Sequence, residues 1–394
     1  MKRVLIIGAS ILQIPAIRKA KELGYYVGVA DYNPNAVGIP EADEYFNVST
    51  IDIDGVVKVA QEFKPDGILT LATDMPVRAV AKACEVCRLP GISFDTAIKA
   101  TDKGEMIKAF EKAGVEHPWY YIISDRVNFD HMIEEITYPC IMKPTDNAGS
   151  RGVVLCRDKD ELNNEYAYSL GESRGGAVII EEYLQGPEFS IEVMVVDGEP
   201  YVLQITDKLT TGAPHFVEMG HSQPTRQNEV NSVKIRDLAR RAVKAVGINV
   251  GPAHVEMILT SDGPKMVELG ARMGGDCITT HLVPLSTGID MVGCTIQLAC
   301  GEKIDIEPKF NKGAAIRYFD AHNGVIKSID GIEEAKKIIG VQEIAIVHQV
   351  GENIGEIGNS TDRVGLVIAQ AENAEEAIKV CEKAMDKVHI IIDK

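Results

Sequence analysis

Apolar positions in the first hundred residues fall into two alternating patterns. Val4–Ile7 and Val27–Ala30 are continuous apolar runs, the second ending at Asp31. Pro15–Leu23 carries apolar residues at helical spacing and stops at Gly24; Val56–Phe63 repeats that spacing before a strand over Gly67–Ala72. Continuous apolar strands separated by amphipathic helices predict a parallel sheet with both faces covered. Pro90-Gly91 and the polar ATDKGE place a boundary near residue 100.

The pattern then changes. Val193–Val196 and Tyr201–Ile205 flank Asp197-Gly198, a favourable hairpin turn. Between 229 and 247, Ile235, Leu238, Ala239, Ala242, Ala245 and Val246 keep helical spacing, with Gly247 as the stop. From about residue 306, strand-like Ala314–Phe319, Ile344–Val350 and Gly365–Ala369 precede a helix near Ala374–Lys387. The reading is a multidomain α/β and α+β chain: a Rossmann-like N-terminal segment (1–100), a central domain (101–305) and a small C-terminal α+β domain (306–394).

Composition narrows the function. At 394 residues, 45% hydrophobic and 25% charged, the chain is that of an ordinary globular protein. A formal charge of −17 without a clustered basic face excludes a nucleic-acid binder. No apolar run reaches membrane-spanning length, and the opening MKR is followed by a stretch broken at Gly8, Gln13 and Pro15, so a cytoplasmic protein without a membrane partner is expected. Of eight scattered cysteines only Cys84 and Cys87 form a CxxC, inside a helical pattern, which reads as buried or incidental thiols.

Three stretches carry chemistry. GASILQ, after the first strand, keeps one glycine of a dinucleotide fingerprint, with Asp31 where a ribose acid would be; a purely structural turn is the stronger reading. IMKPTDNAGSRGV (141–153) delivers Lys143 on a strand and follows it with a polar glycine loop lacking P-loop spacing. AHVEMILTSDGPKMVELGARMGGD (253–276) reads as two strands around a three-residue turn with Gly263 left-handed. Centring that turn on Asp262 sets Glu256 opposite Glu268, with His254, Ile258 and Met266 on the same face. Val255, Met257, Leu259, Val267 and Leu269 then fill an apolar face. Carboxylates so opposed, about 5 Å apart at Cβ, repel unless a cation joins them, which points to a hard divalent ion such as Mg²⁺. Arg272, just beyond, suits a phosphate or carboxylate.

Taken together, ATD-K at Lys103, MKP at Lys143, the loop NAGSRGV, EEYLQGPEFSIE and VEM…VELGAR resemble, in order, the ATP-grasp superfamily of ATP-dependent carboxylate–amine or carboxylate–thiol ligases. ELGARMGGD followed by HLVPLSTGIDM is most similar to the L-amino-acid ligase branch. The resemblance implies a central ATP-grasp domain whose two β layers clasp ATP. Lys103 and Lys143 would neutralise its phosphates, and the flap Asn147–Gly152, including Ser150 and Gly152, would close over them. It gives Glu181, Glu182 and Leu184 to an adenine-reading hinge, Glu188 to the ribose, Glu256 and Glu268 to Mg²⁺ (or Mn²⁺), and Arg272 to the phosphoryl group. Many members carry an asparagine ligand where this chain has Gly270.

The implied reaction activates a carboxylate as an acyl phosphate and joins it to an amine, releasing ADP and phosphate. The partners are small-molecule carboxylate and amine substrates, with a homodimer as the assembly common among relatives. The segment 205–221 offers Lys208 as a cation near the acyl group, with His215, Glu218 and His221 around it. Asp276, His281 and Arg317 are further substrate candidates, Arg317 as a carboxylate anchor. The alternatives are a purine-pathway or carbamoyl-phosphate-type enzyme using formate or bicarbonate, and a non-catalytic nucleotide-binding regulator.

Overall fold

The computed structural model describes every residue except 148, 150, 214, 215, 321 and 394. Strands β1 (Arg3–Ile7), β2 (Tyr26–Asp31), β3 (Glu44–Asn47) and β4 (Gly67–Leu69) form a parallel sheet in the order β3-β2-β1-β4. Alternation along β1 explains its continuous apolar sequence. Leu5 and Ile7 face the helices Ile53–Phe63 and Val77–Cys87, whereas Val4 and Ile6 face the helices Ile14–Glu22 and Met291–Ala299. Edge strand β3 carries a single Tyr-Phe pair and gives no strand signal in the sequence.

Cys84 and Cys87 lie in the helix Val77–Cys87, and no cysteine is in a disulfide. Burial pushes the Cys84 thiol up to about 12, which leaves it unreactive.

Two further sheets frame a cleft. Strands β5 (Tyr120–Ile123), β6 (Cys140–Pro144), β7 (Val154–Cys156) and β8 (Val178–Glu182) make an antiparallel layer, ordered β5-β8-β6-β7. The second layer begins with β9 (Glu188–Val196), β10 (Glu199–Thr210), β11 (Glu218–Gln223), β12 (Gly251–Thr260) and β13 (Gly263–Gly270). The expected β9–β10 hairpin forms, and Asp197 and Gly198 both take positive φ, as its tight two-residue turn requires. The expected helix spans Glu229–Val246 and ends at Gly247 with φ +94. Its Ile235, Leu238, Ala239 and Ala242 pack on Phe189, Ile191, Val255 and Met257, which assigns that face of β9 and β12 to the core.

The C-terminal segment contributes β14 (Gly313–Tyr318), β15 (Gly324–Asp330), β16 (Val341–Ile346), β17 (Asn353–Ile354), β18 (Gly365–Ala371) and β19 (His389–Asp393). Three of these extend the second layer into one eight-stranded sheet, β13-β12-β9-β10-β11-β14-β18-β16. The other three form the separate sheet β17-β15-β19. Helix Ala374–Met385 covers β14 and β18 through Ala377, Ile378 and Cys381. Among the described residues no single helix is long and apolar enough to cross a membrane.

Candidate functional site

The hairpin β12–β13 builds the site by a route the sequence reading did not foresee. Its turn is the two-residue Ser261-Asp262, with Thr260 paired to Gly263, rather than a three-residue loop. A bulge then inserts one extra residue, so Met257 pairs with Met266 while Glu256 still pairs with Glu268. The shorter turn and the bulge cancel at the glutamates. They do not cancel before the bulge: Met266 is buried in the core cluster while still bordering the cleft, and Val267 joins the cleft wall instead of the apolar face.

Glu256 and Glu268 open on a cleft between the two layers. Lys103, Lys143, Glu181, Glu182, Leu184, Glu188 and Lys208 line it with them, together with Gly149 and Arg151 of the glycine loop. Gly152 adopts φ +75, and a Cβ there would stand 2.7 Å from the Pro144 ring, so only glycine turns the loop so tightly over β6. Ser150 and His215 lie outside the described residues.

Charge inside the cleft is dense and organised. Lys208, whose side chain is 3% exposed, reaches Glu188 at 2.5 Å, Glu256 at 3.4 Å and Glu218 at 3.5 Å. Burial alone would favour its neutral amine, but the fields of Glu256, Glu188 and Glu218 hold it protonated, well above the ordinary lysine range. The same burial raises Glu188, aided by repulsion from Glu256 and opposed by Lys208. Glu256 moves the other way: burial opposes its charge, but Lys208, His254 and Arg272 hold it well below the usual carboxylate range.

His254 bridges Glu192 (Nδ1 to Oε1, 2.7 Å) and Glu256 (Nε2 to Oε1, 3.1 Å). Burial lowers its pKa, yet the Glu192 charge and the two hydrogen bonds raise it to about 9, so both ring nitrogens donate. Lys103 Nζ stands 3.0 Å from Glu268 and donates to the Asn147 carbonyl at 2.8 Å. Lys143 pairs with Glu181 at 2.6 Å, and Glu182 with Lys265 at 2.8 Å. The side chains of Glu181 and Glu182 are thus committed to lysines.

A second cavity shares Lys103, Glu256 and Glu268 with the cleft and is also lined by Arg272. Here the N-terminal sheet contributes a residue the sequence reading missed. Asp74 grips Arg272 with two hydrogen bonds, 3.0 Å to Nε and 2.9 Å to Nη2. A Cβ on Gly270 would sit 2.8 Å from Asp74 Oδ1 and 3.1 Å from Arg272 Nε, so the glycine makes room for this pair. Asp74 follows β4, at the carboxyl end of a parallel strand, where open α/β sheets place ligand groups. That position was the available signal.

The remaining candidates sit apart. Asp276 accepts from Arg363 at 2.7 and 2.8 Å and contacts His221 Nε2 at 3.3 Å. Burial opposes its ionisation, but the Arg363 and His221 hydrogen bonds hold the carboxyl well below the usual range. His281 lies 3.3 Å from Glu343. Arg317 is buried and donates to the carbonyls of His221 and Ile316, away from both cavities, so the expected carboxylate anchor is spent on backbone. Arg363, which stacks over Tyr318 at 3.7 Å, is the arginine of the C-terminal segment that reaches the Asp276 carboxylate.

The GASILQ turn is filled from within. Gln13 donates to the Leu71 carbonyl at 2.8 Å and accepts from Ser10, and Asp31 accepts from the backbone of Ala9 and Asn33.

Comparison with known proteins matches residues 136–280 to the ATP-grasp domain and residues 317–393 to the L-amino acid ligase C-terminal domain 2. The alanine–anticapsin ligase of Bacillus subtilis is 29% identical over 323 residues, 76% of this chain and 67% of the relative. The phosphoribosylamine–glycine ligase of Methanococcus maripaludis is 24% identical, over 98% of this chain and 93% of its own. The crystal structure of an L-amino acid ligase from Bacillus licheniformis superposes with a TM-score of 0.85 at 26% identity, covering 100% of this chain and 99% of that one.

Proposed function

We propose that this chain, which carries an ATP-grasp domain and an L-amino acid ligase C-terminal domain, joins the carboxylate of one amino-acid-like molecule to the amine of another. The enzyme is an ATP-dependent carboxylate–amine ligase; the amino-acid character of both substrates is our reading, supported by the ligase-type C-terminal segment and by the relatives that share it. The observation that carries it is the Glu256–Glu268 pair facing Lys103, Lys143 and Lys208 in one cleft between two β layers. We divide the chain into segments 1–100, 101–305 and 306–394, the first supplying Asp74, the second the cleft and the third Arg363.

Two opposed carboxylates, one of them ionised against burial, are an oxygen donor pair suited to Mg²⁺ whose remaining ligands are phosphate and water. Among the described residues no third His, Cys, Asp or Glu completes a cation site, which fits an ion that arrives with its nucleotide. When bound, that ion would neutralise the phosphate oxygens.

In this reading Tyr183, Leu184 and Ile258 flank the adenine, Glu188 meets the ribose, and Lys103 and Lys143 hold the phosphates. The substrate carboxylate attacks the γ-phosphorus and ADP leaves. The amine lone pair then forms the C–N bond while phosphate departs with the C–O electrons, and the nitrogen loses a proton to solvent. Arg272, held by Asp74, and Lys208 stabilise the negative charge that builds up in both steps.

The experiment is an ADP-release screen with Mg²⁺-ATP against pairs of carboxylic acids and amines, with Glu268→Gln as control. Amine-dependent ADP release that disappears in the variant is expected. Release that depends on bicarbonate or formate alone would replace the amino-acid reading.

A further inference from the structure

The edge of a sheet offers unpaired N–H and C=O groups, and folded chains normally blunt it. Most edges of this molecule are blunted. β16, the last strand of the eight-stranded sheet, loses register at a bulge between Val341 and Glu343. At the other end of that sheet, Met266 of β13 donates its backbone N–H to the Glu116 carbonyl at 2.9 Å. The edge strands β3, β4, β5 and β7 have only three or four residues each. β19 is different. It closes the sheet β17-β15-β19 with five unbroken residues, HIIID, and among the described residues no strand pairs with its outer side. The bulge in its ladder belongs to β15, between Ile326 and Ser328, so β19 itself stays regular.

Both faces of this strand are left incomplete. On one face Ile390 and Ile392 pack on the core of Ile326, Ala335 and Ala384, yet they stay half-buried because the sheet stops beside them. On the other face Ile391 is 52% exposed. His389 and Asp393 stand exposed at the two ends, Asp393 within 2.8 Å of the Lys327 amine. Three consecutive isoleucines on a flat open edge are a template for another strand.

The residues say which strand. Laid antiparallel against itself about Ile391, HIIID matches at every position. His389 falls opposite Asp393 of the second copy, and this charge pair occurs at both ends of the ladder. Ile390 falls opposite Ile392 on the core side, so the apolar layer continues across the joint, and Ile391 meets its twin on the outer side. No other register does this: a slip of one residue turns the partner's core face outward, and a slip of two separates histidine from aspartate. We infer that β19 docks antiparallel on β19 of a second copy of this chain, joining two three-stranded sheets into one of six strands. A homodimer is common among the relatives that the motifs resemble; this pattern assigns it a strand and a register, and it does not depend on the ligase reading.

The test is sedimentation velocity of the full chain over a concentration series, with Ile391→Cys as a probe of register. We expect a reversible dimer that dissociates in the micromolar range, as a small interface does. Ile391→Lys sets two ammonium groups together, and His389→Asp sets aspartate against aspartate; each weakens the dimer by about 10-fold or more. Adding Asp393→His to His389→Asp restores it, and this exposed pair decides the matter if Ile391→Lys fails to fold. Mild oxidation of Ile391→Cys yields a disulfide-linked dimer, because residues opposed on antiparallel strands lie about 4.5–5.5 Å apart at Cα, within disulfide reach. The parent, whose eight cysteines are free, yields none under the same oxidation. A chain that stays monomeric throughout the series, a dimer indifferent to the charge reversal at His389, or a dimer that Ile391→Cys leaves unlinked overturns the inference.

Discussion

The turn Gly8–Gln13 and the hairpin β12–β13 both place polar residues beside a strand end, and they spend them in opposite ways. In the first, Gln13, Ser10 and Asp31 are satisfied by one another and by nearby backbone. In the second, Glu256 and Glu268 are set against each other and held by side chains from distant elements, Lys208 and Lys103. Local satisfaction is what a turn needs to be stable. Like charges opposed at the cost of stability are what a cation and a polyphosphate need. The comparison teaches that the partners of a polar residue, more than its type, separate scaffold from site.

The sharpest way to break that contrast is Glu268→Gln, which keeps shape and removes charge. Turnover in the ADP-release assay should fall about 10²- to 10³-fold, with an unchanged circular dichroism spectrum. Lys143→Ala should also cost orders of magnitude in rate. It strands the Glu181 carboxylate in a buried position, so about 3–5 kcal/mol of stability should go with it, read by urea unfolding. Asp74→Asn should lower kcat by about 10-fold with the KM for ATP little changed, because Arg272 loses its charged anchor.

On the scaffold side, Gln13→Ala should lower unfolding free energy by about 1–3 kcal/mol by orphaning the Leu71 carbonyl, while kcat per folded molecule stays at the parent value. A turnover loss there instead would erase the distinction. The smallest effect concerns Asp276. Its folded pKa is depressed, so its contribution is present above the unfolded value of about 3.9 and is lost as pH falls below it. Thermal melts of the parent and Asp276→Asn should differ by about 1–2 kcal/mol near neutrality and converge in acid.

Much of this was legible in the chain. Periodicity located the parallel sheet, the β9–β10 hairpin and the helix Glu229–Val246, because each carries a strong repeat and a turn or stop residue of its own. Strands β3, β15 and β19 were missed: β3 is a half-buried edge with one apolar pair, and β15 and β19 belong to a small sheet whose partners are far apart in the chain, although the run HIIID of β19 was a usable signal. Glu256 facing Glu268 was expected, yet the means were a two-residue turn and a bulge, and a bulge leaves no mark on alternation until coordinates count it. Asp74 and Arg363 could not be paired with Arg272 and Asp276 from sequence, since the partners lie 198 and 87 residues away. Arg317 shows the reverse error. A strand residue near the right place points to the wrong side of its sheet, and only tertiary packing decides which.

The ladder between β11 and β14, Gly220 to Arg317 through Gln223 to Ala314, stitches the C-terminal segment to the central one with backbone hydrogen bonds. A body so joined cannot swing as a separate jaw. Among the described residues the β5–β8 layer shares no such ladder with the second layer and joins the rest of the chain through two short connections, 114–119 and 183–187, so the gape that admits nucleotide falls to that layer. Stiffening both connections together is expected to slow product release.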